Sequence, residues 1–131
     1  MIIDTSAIVA ILNQEPEAKT FARAIEAAGE VTMSAVSWVE ASVVVDSAKD
    51  PIASRRFDQL IDAAQIRIEP VTQEQAQLAR QAYRDFGKGS GHPAGLNFGD
   101  CFSYALARVK AERLLFKGND FGKTDLNKFD R

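Results

Sequence analysis

The chain has 131 residues, of which 46% are hydrophobic and 26% charged, and its formal net charge is −2. These values fit one folded domain over residues 1–131 and count against disorder and against a general nucleic-acid binder. The longest apolar runs are too short to span a membrane, and no basic segment followed by an apolar one opens the chain. We therefore expect a cytoplasmic protein that does not bind membranes. The single cysteine, Cys101, agrees with a reducing compartment, and we expect it to be a small buried side chain.

Predicted strands and helices alternate along the chain. Short apolar runs predict strands, and amphipathic stretches predict helices. In chain order the pattern predicts a strand at residues 1–4, helices at 5–12 and 17–28, a strand at 31–34, helices at 34–48 and 52–63, a strand at 66–70, helices at 72–86 and 98–111, and a strand at 114–117. A glycine-rich loop, residues 87–95, separates the last two helices. This alternation predicts an α/β sandwich on a mostly parallel sheet.

Polar residues mark the expected helix starts. Thr5 or Ser6 can cap the first helix, and Ser34 and Asn97 can cap two later ones. Thr72 with Gln75 has the spacing of a capping box, in which two side chains bond each other's backbone N–H groups.

Three aspartates are placed where a site would form. Asp4 directly follows the first predicted strand and Asp120 closely follows the last one, and ligands of open parallel sheets gather at the carboxyl ends of strands. Asp100 lies in the first turn of its helix. There the helix dipole favours an anion, which by itself is a sufficient structural role.

Glu40 is the fourth candidate. It lies within a valine-rich predicted helix, where Val36, Glu40 and Val44 share one face. A carboxylate there is costly to bury unless it is paired or binds a metal, although a solvated edge or a salt bridge to arginine would also accommodate it.

Several carboxylates held together repel one another unless a proton or a cation intervenes. Hard divalent cations such as Mg²⁺ and Mn²⁺ take oxygen ligands, and they promote the hydrolysis of phosphodiesters.

The charge of the chain is unevenly distributed. Residues 1–79 carry a charge of −6 and residues 80–131 a charge of +4. The positive second half would suit an anionic substrate, or its charges are simply solvated helix surface. His92 is the only histidine, so a serine triad or a two-histidine zinc site finds little support.

Four motifs together resemble one known family. They are Met-Ile-Ile-Asp-Thr-Ser-Ala at 1–7, Ser-x-x-Ser-x-x-Glu at 34–40, Leu-Asn-Phe-Gly-Asp-Cys-Phe-Ser-Tyr-Ala at 96–105 and Leu-Leu-Phe-Lys-Gly-Asn-Asp-Phe at 114–121. In order and spacing they are similar to those of the PIN-domain ribonuclease toxins of the VapC family, which belong to type II toxin–antitoxin systems. The resemblance runs from residue 1 to about residue 126.

The resemblance implies a three-layer α/β/α sandwich with a mostly parallel sheet of four or five strands. It also implies an Mg²⁺-dependent (or Mn²⁺-dependent) endoribonuclease whose acidic quartet, both catalytic and metal-binding, is Asp4, Glu40, Asp100 and Asp120. Residues matched to supporting positions near the metal are Thr5, Ser6, Asn119, Thr124 and Asp125. The implied partners are an RNA substrate, a VapB-like antitoxin and a second copy of the chain in a homodimer.

Three further residues could contact RNA: Lys88, His92 and Lys117. Lys117 departs from the family's pattern, since many relatives have a small or hydroxyl residue before this glycine, and it could instead touch a carboxylate.

Two alternatives remain open at this stage. One is a binding module with the same fold and weak nuclease activity, against which the four intact acids count. The other is a phosphoacceptor receiver domain, which needs adjacent acids after its first strand and an aspartate after its third. Here Asp4 is single and the third predicted strand ends in Ile68, Glu69 and Pro70, so this alternative ranks low.

Overall fold

The computed structural model describes residues 1–126. In chain order its elements are β1 (Ile2–Ile3), α1 (Thr5–Leu12), α2 (Ala18–Ala28), β2 (Thr32–Ser34), α3 (Ala35–Asp46), α4 (Pro51–Ala63), β3 (Arg67–Glu69), α5 (Gln73–Phe86), α6 (Phe98–Lys110), β4 (Leu114–Leu115) and a short 3₁₀ helix (Phe121–Lys123). Every predicted strand and helix is present, with bounds that differ by a few residues. The last five residues of the expected domain lie outside the described part.

The four strands form one parallel sheet in the order β3-β2-β1-β4. The chain steps outward from β1 through β2 to β3 and then returns to the other side of β1 as β4. The order therefore reverses between β1 and β4, and such a reversal opens a crevice at the carboxyl ends of these strands. Asp4 follows β1 directly, so its position at this crevice is a consequence of topology.

Helices cover both faces of the sheet, which confirms the three-layer α/β/α prediction. Side chains alternate between the faces of a strand, so the neighbours Ile2 and Ile3 enter different cores. Ile2 belongs to a cluster with apolar residues of α5 and α6. Ile3 belongs to a second cluster, with residues of α1, α2 and α4. Both isoleucines are fully buried.

The cap of α1 differs from the prediction, which placed it at Thr5 or Ser6. Asp4 is the N-cap, with an extended backbone, and its Oδ2 accepts a hydrogen bond from the Ser6 backbone N–H at 3.0 Å. The sequence offered three polar residues in a row, and the end of β1 at Ile3 decides which of them precedes the helix. The candidate carboxylate thus also stabilises the helix start.

The capping box also differs from the prediction. Thr72 does cap α5 by accepting from the Gln75 N–H, but the Gln75 side chain is buried and its Oε1 has no hydrogen-bond partner. The complete box is at α6, where the Asn97 and Asp100 side chains each accept from the other's backbone N–H.

Cys101 is buried, as expected, and its thiol donates to the Asn97 carbonyl. Within residues 1–126, no helix is both long and apolar enough to cross a bilayer.

Candidate active site

Asp4 is held by two donors in a buried position. Only 2% of the residue is exposed. Its Oδ2 accepts from the Ser6 N–H, and its Oδ1 accepts from the Ser103 hydroxyl of α6 at 2.5 Å. A buried carboxylate with both oxygens hydrogen-bonded is fixed in orientation, and each oxygen keeps lone-pair capacity for a further partner.

A chain of hydroxyl groups lies behind Asp4. The Ser37 and Ser103 oxygens are 2.8 Å apart, and both residues are fully buried. Thr5, expected to support the site, donates its hydroxyl to the Ser37 carbonyl at 3.0 Å. These contacts join α1, α3 and α6 around the Asp4 side chain.

Asp100 lies close to the other three acids. Burial raises its pKa to about 6, and the carboxylates of Asp4, Glu40 and Asp120 raise it as well. The Asn97 backbone N–H, which donates to Asp100 Oδ2, opposes these effects. The four predicted acids, from distant parts of the chain, therefore share one electrostatic environment.

Glu40 reaches this environment from α3 by lying against α6. Its carboxylate sits beside Gly99, where a Cβ atom would be only 2.2 Å from Glu40 Oε2. The absence of a side chain at Gly99 is therefore what admits Glu40 at the start of α6. Asp120 is exposed and directly precedes the 3₁₀ helix.

The donor set suits a hard divalent cation, because it consists of carboxylate oxygens with no thiolate or imidazole among them. In the described part of the chain, no three acidic, histidine or cysteine side chains are grouped so as to hold an ion. Mg²⁺ sites commonly use one or two protein carboxylates and fill the shell with water and substrate phosphate. The arrangement fits a site of that kind.

The remaining supporting candidates have structural contacts. Ser6 Oγ accepts from the Lys117 backbone N–H at 2.9 Å and thereby ties α1 to the segment after β4. Thr124 is buried and donates to the Phe121 carbonyl. Asp125 accepts from Tyr104 through one oxygen and pairs with Arg108 through the other. Asn119 is exposed.

The candidate RNA contacts differ in their surroundings. The Lys117 ammonium pairs with Glu15 and Glu17, and the hydrogen bond that it donates to Glu15 raises the pKa of Lys117. The His92 ring packs edge-on against Phe86, and its Nδ1 accepts from the Ala94 N–H. Lys88 is exposed in the glycine-rich loop.

Sequence reasoning missed Ser103 and Gly99. Ser103 follows Asp100 by three residues and is a small polar residue between two aromatic ones, which was the available signal. Gly99 is a glycine inside the first turn of a helix, where that residue weakens the helix and so calls for a packing reason.

The PIN domain family matches residues 1–127 of the chain. Ribonuclease VapC28 of Mycobacterium tuberculosis is 56% identical over 128 residues, which are 98% of this chain and 96% of that protein. Ribonuclease VapC42 of the same species is 49% identical over 126 residues, 96% of each chain.

Two solved structures share the fold. One is M. tuberculosis VapC20, described as a toxin that cleaves the sarcin-ricin loop, with a TM-score of 0.70, 21% identity and 92% of each chain covered. The other is a toxin–antitoxin complex from Klebsiella pneumoniae, with a TM-score of 0.68, 20% identity, and coverage of 92% of this chain and 88% of that one.

Proposed function

The chain belongs to the PIN domain family and, within it, to the VapC ribonucleases, and we propose that it hydrolyses RNA with a divalent cation, Mg²⁺ or Mn²⁺, held by Asp4 and Asp100. It is an endoribonuclease toxin of the VapBC type. The observation that carries the cation proposal is that four carboxylates from separate segments converge at the start of α6, where Asp4, Glu40 and Asp120 all act electrostatically on Asp100.

The four acids form two pairs with different tasks in this proposal. Asp4 and Asp100 are the direct ligands, since each is oriented by backbone and side-chain partners before any cation arrives. Glu40 and Asp120, whose charges also act on Asp100, are proposed to act through water molecules. When bound, the cation acidifies an attacking water and offsets the charge that develops on the phosphate.

The chain's own residues prepare this chemistry. Ser6 and Ser103 hold Asp4 in a buried position, and Asn97 holds Asp100 at the start of α6. The four negative charges repel RNA phosphate, and a divalent cation held among them would reduce that repulsion. Lys88 and His92 lie in the loop between α5 and α6 and are proposed RNA contacts. Lys117 is proposed to position the segment after β4 through Glu15 and Glu17, instead of contacting RNA.

The proposed protein partners use the apolar face of α3. Trp38, Val39, Val43 and Val44 stay exposed in the single chain, so burial within one domain does not account for them. Val36, Val39, Val43 and Val44 line a groove of about 540 Å³ with Phe98 and Glu40. We propose that a second copy and a VapB-like antitoxin cover apolar surface here, because isolated domains rarely leave such patches in water.

The deciding experiment compares RNA cleavage by the wild type and by Asp100→Asn, with Mg²⁺ and with excess chelator. We expect the substitution to slow cleavage by at least about a hundredfold, because several kcal/mol of charge stabilisation depend on the cation. Asp58→Asn, an exposed change on α4, is the matched control and should cleave like the wild type. Full activity of Asp100→Asn, or of the wild type in chelator, would refute the proposal. Mn²⁺ binding without any RNA cleavage would favour the binding module instead.

A further inference from the structure

We propose that Ser103 is a positioning residue for Asp4, and that Ser37 acts on Asp4 through Ser103. The inference rests on the proposed function, because it concerns how the chain orients a carboxylate for a divalent cation. It assigns a role in the site to two hydroxyl groups that carry no charge and cannot be recognised as ligands.

The contacts join three separate elements. Ser103 is on α6, Asp4 lies between β1 and α1, and Ser37 is on α3. Ser103 Oγ is 2.5 Å from Asp4 Oδ1 and 2.8 Å from Ser37 Oγ. Both serines are fully buried and Asp4 is 2% exposed, so bulk water cannot replace either hydrogen bond without opening the core.

The direction of the hydrogen bonds follows from proton counting. A serine hydroxyl has one proton and can donate only one hydrogen bond. Ser103 donates its one hydrogen bond to Asp4, since an ionised carboxylate can only accept. The contact between the two serines must then have Ser37 as the donor, which makes the Ser103 proton more acidic and its bond to Asp4 stronger.

This arrangement determines which way Asp4 points. The Ser6 N–H fixes Oδ2 from α1, and Ser103 fixes Oδ1 from α6, so the carboxylate cannot rotate about its last bond without losing one of them. Groups that hold a metal ligand by hydrogen bonding typically change metal affinity by about 10- to 100-fold when they are removed. The buried Ser103 hydroxyl, which is hydrogen-bonded to Asp4, is expected to act in the same way.

The test is isothermal titration calorimetry with Mn²⁺ alone, without RNA. We expect Ser103→Ala to bind Mn²⁺ about 10- to 100-fold more weakly than the wild type. Ser37→Ala leaves the hydrogen bond from Ser103 to Asp4 in place and should therefore lose less Mn²⁺ affinity than Ser103→Ala does. The double variant should bind no more weakly than Ser103→Ala, because Ser37 acts only through Ser103.

Two further variants separate positioning from general damage to the core. Ala105→Gly weakens the same buried helix without touching Asp4, and its Mn²⁺ affinity should equal that of the wild type. Ser103→Cys keeps the shape of the side chain, with a slightly larger atom at its end, but offers only a weak donor, so it tests the hydroxyl even if Ser103→Ala fails to fold. In RNA cleavage, Ser103→Ala should need more Mn²⁺ for half-maximal rate while its KM for RNA is unchanged.

The outcomes distinguish the positioning role of Ser103 from the proposed function on which it rests. If Asp4→Asn loses Mn²⁺ binding but Ser103→Ala and Ser103→Cys bind like the wild type, the positioning role is refuted and the proposed function stands. If the double variant loses as much Mn²⁺ affinity as the two single variants together, the proposal that Ser37 acts through Ser103 is refuted. If the wild type itself binds no Mn²⁺, the cation site and the positioning role both fall.

Discussion

At the scale of single residues, Asp4 combines a structural and a chemical role. One of its oxygens caps α1 through the Ser6 N–H, and the other accepts from Ser103 in the core. A cap of this kind contributes about 1 kcal/mol to helix stability. Changing Asp4 therefore perturbs folding as well as the site. Asp100 also takes part in a cap, but Asp100→Asn keeps an oxygen that can accept from the Asn97 N–H, so this variant is the better test of the chemistry.

Asp100 leads to a prediction about pH. Because burial and the neighbouring carboxylates raise its pKa to about 6 from 3.8, the folded protein binds a proton there more tightly than the unfolded chain does. This preference stabilises the cation-free protein fully below the unfolded pKa, and the contribution is lost as the pH rises through about 6. We therefore expect the thermal midpoint measured in chelator to fall between about pH 4 and 6 by a few degrees.

Asp100→Asn should remove this part of the pH profile and should melt higher than the wild type at pH 7 in chelator. Asp58→Asn is the exposed control and should keep the wild-type profile. Added Mn²⁺ should raise the midpoint of the wild type but not that of Asp100→Asn. Parallel wild-type and Asp100→Asn profiles from pH 4 to 7 would contradict the prediction.

At the scale of elements, the approach of α3 to α6 places Glu40 in the site. The contact depends on Gly99, since a Cβ there would collide with both carboxylate oxygens of Glu40. The collision is with the end of a flexible side chain, so the helices need not move apart and Glu40 would move instead.

Gly99→Ala should therefore lower Mn²⁺ affinity and RNA cleavage by about tenfold, the usual scale for losing a group that supports a metal site. The thermal midpoint should stay the same or rise, because alanine favours a helix over glycine by about 1 kcal/mol. Gly122→Ala is the matched control, since a Cβ there meets no atom within 4 Å. Gly99→Ala added to Glu40→Ala should cause no further loss of cleavage. Wild-type activity in Gly99→Ala would show that the position of Glu40 does not matter.

At the scale of the whole molecule, the exposed side of α3 predicts a homodimer. Val39 is 52% exposed, Val43 62% and the nearby Phe98 71%, and these side chains flank the same groove. Burying them against a second copy removes apolar surface from water, and each Å² removed stabilises the dimer by about 25 cal/mol.

Light scattering over a wide concentration range should give a mass near two chains. Val43→Lys should shift the mass toward one chain, because it places a charge in the apolar contact. Ile52→Lys is the control, since Ile52 is 68% exposed on α4 and lies outside this groove. A wild-type mass near one chain at every concentration would refute the dimer.

Much of this architecture could be predicted from local pattern alone. Apolar runs gave the strands, and polar residues before amphipathic stretches gave the helix starts at Ser34 and Asn97. Two local details were wrong for a local reason. Several polar side chains compete at the start of α1, and the burial of the Gln75 side chain removes it from the capping box at α5.

The sequence by itself determined the α/β architecture, because periodicity is a property of the chain, and it predicted the four acids through their positions and the family resemblance. The tertiary structure decided what lies around each acid, since partners such as Ser103 for Asp4 and Gly99 for Glu40 come from distant segments. It also decided that Asp125 contacts Tyr104 and Arg108, which the Thr-Asp pattern does not reveal. Strand order brings β1 beside β4, and helix packing brings α3 onto α6. Such contacts depend on how the elements fold together, so no local pattern encodes them.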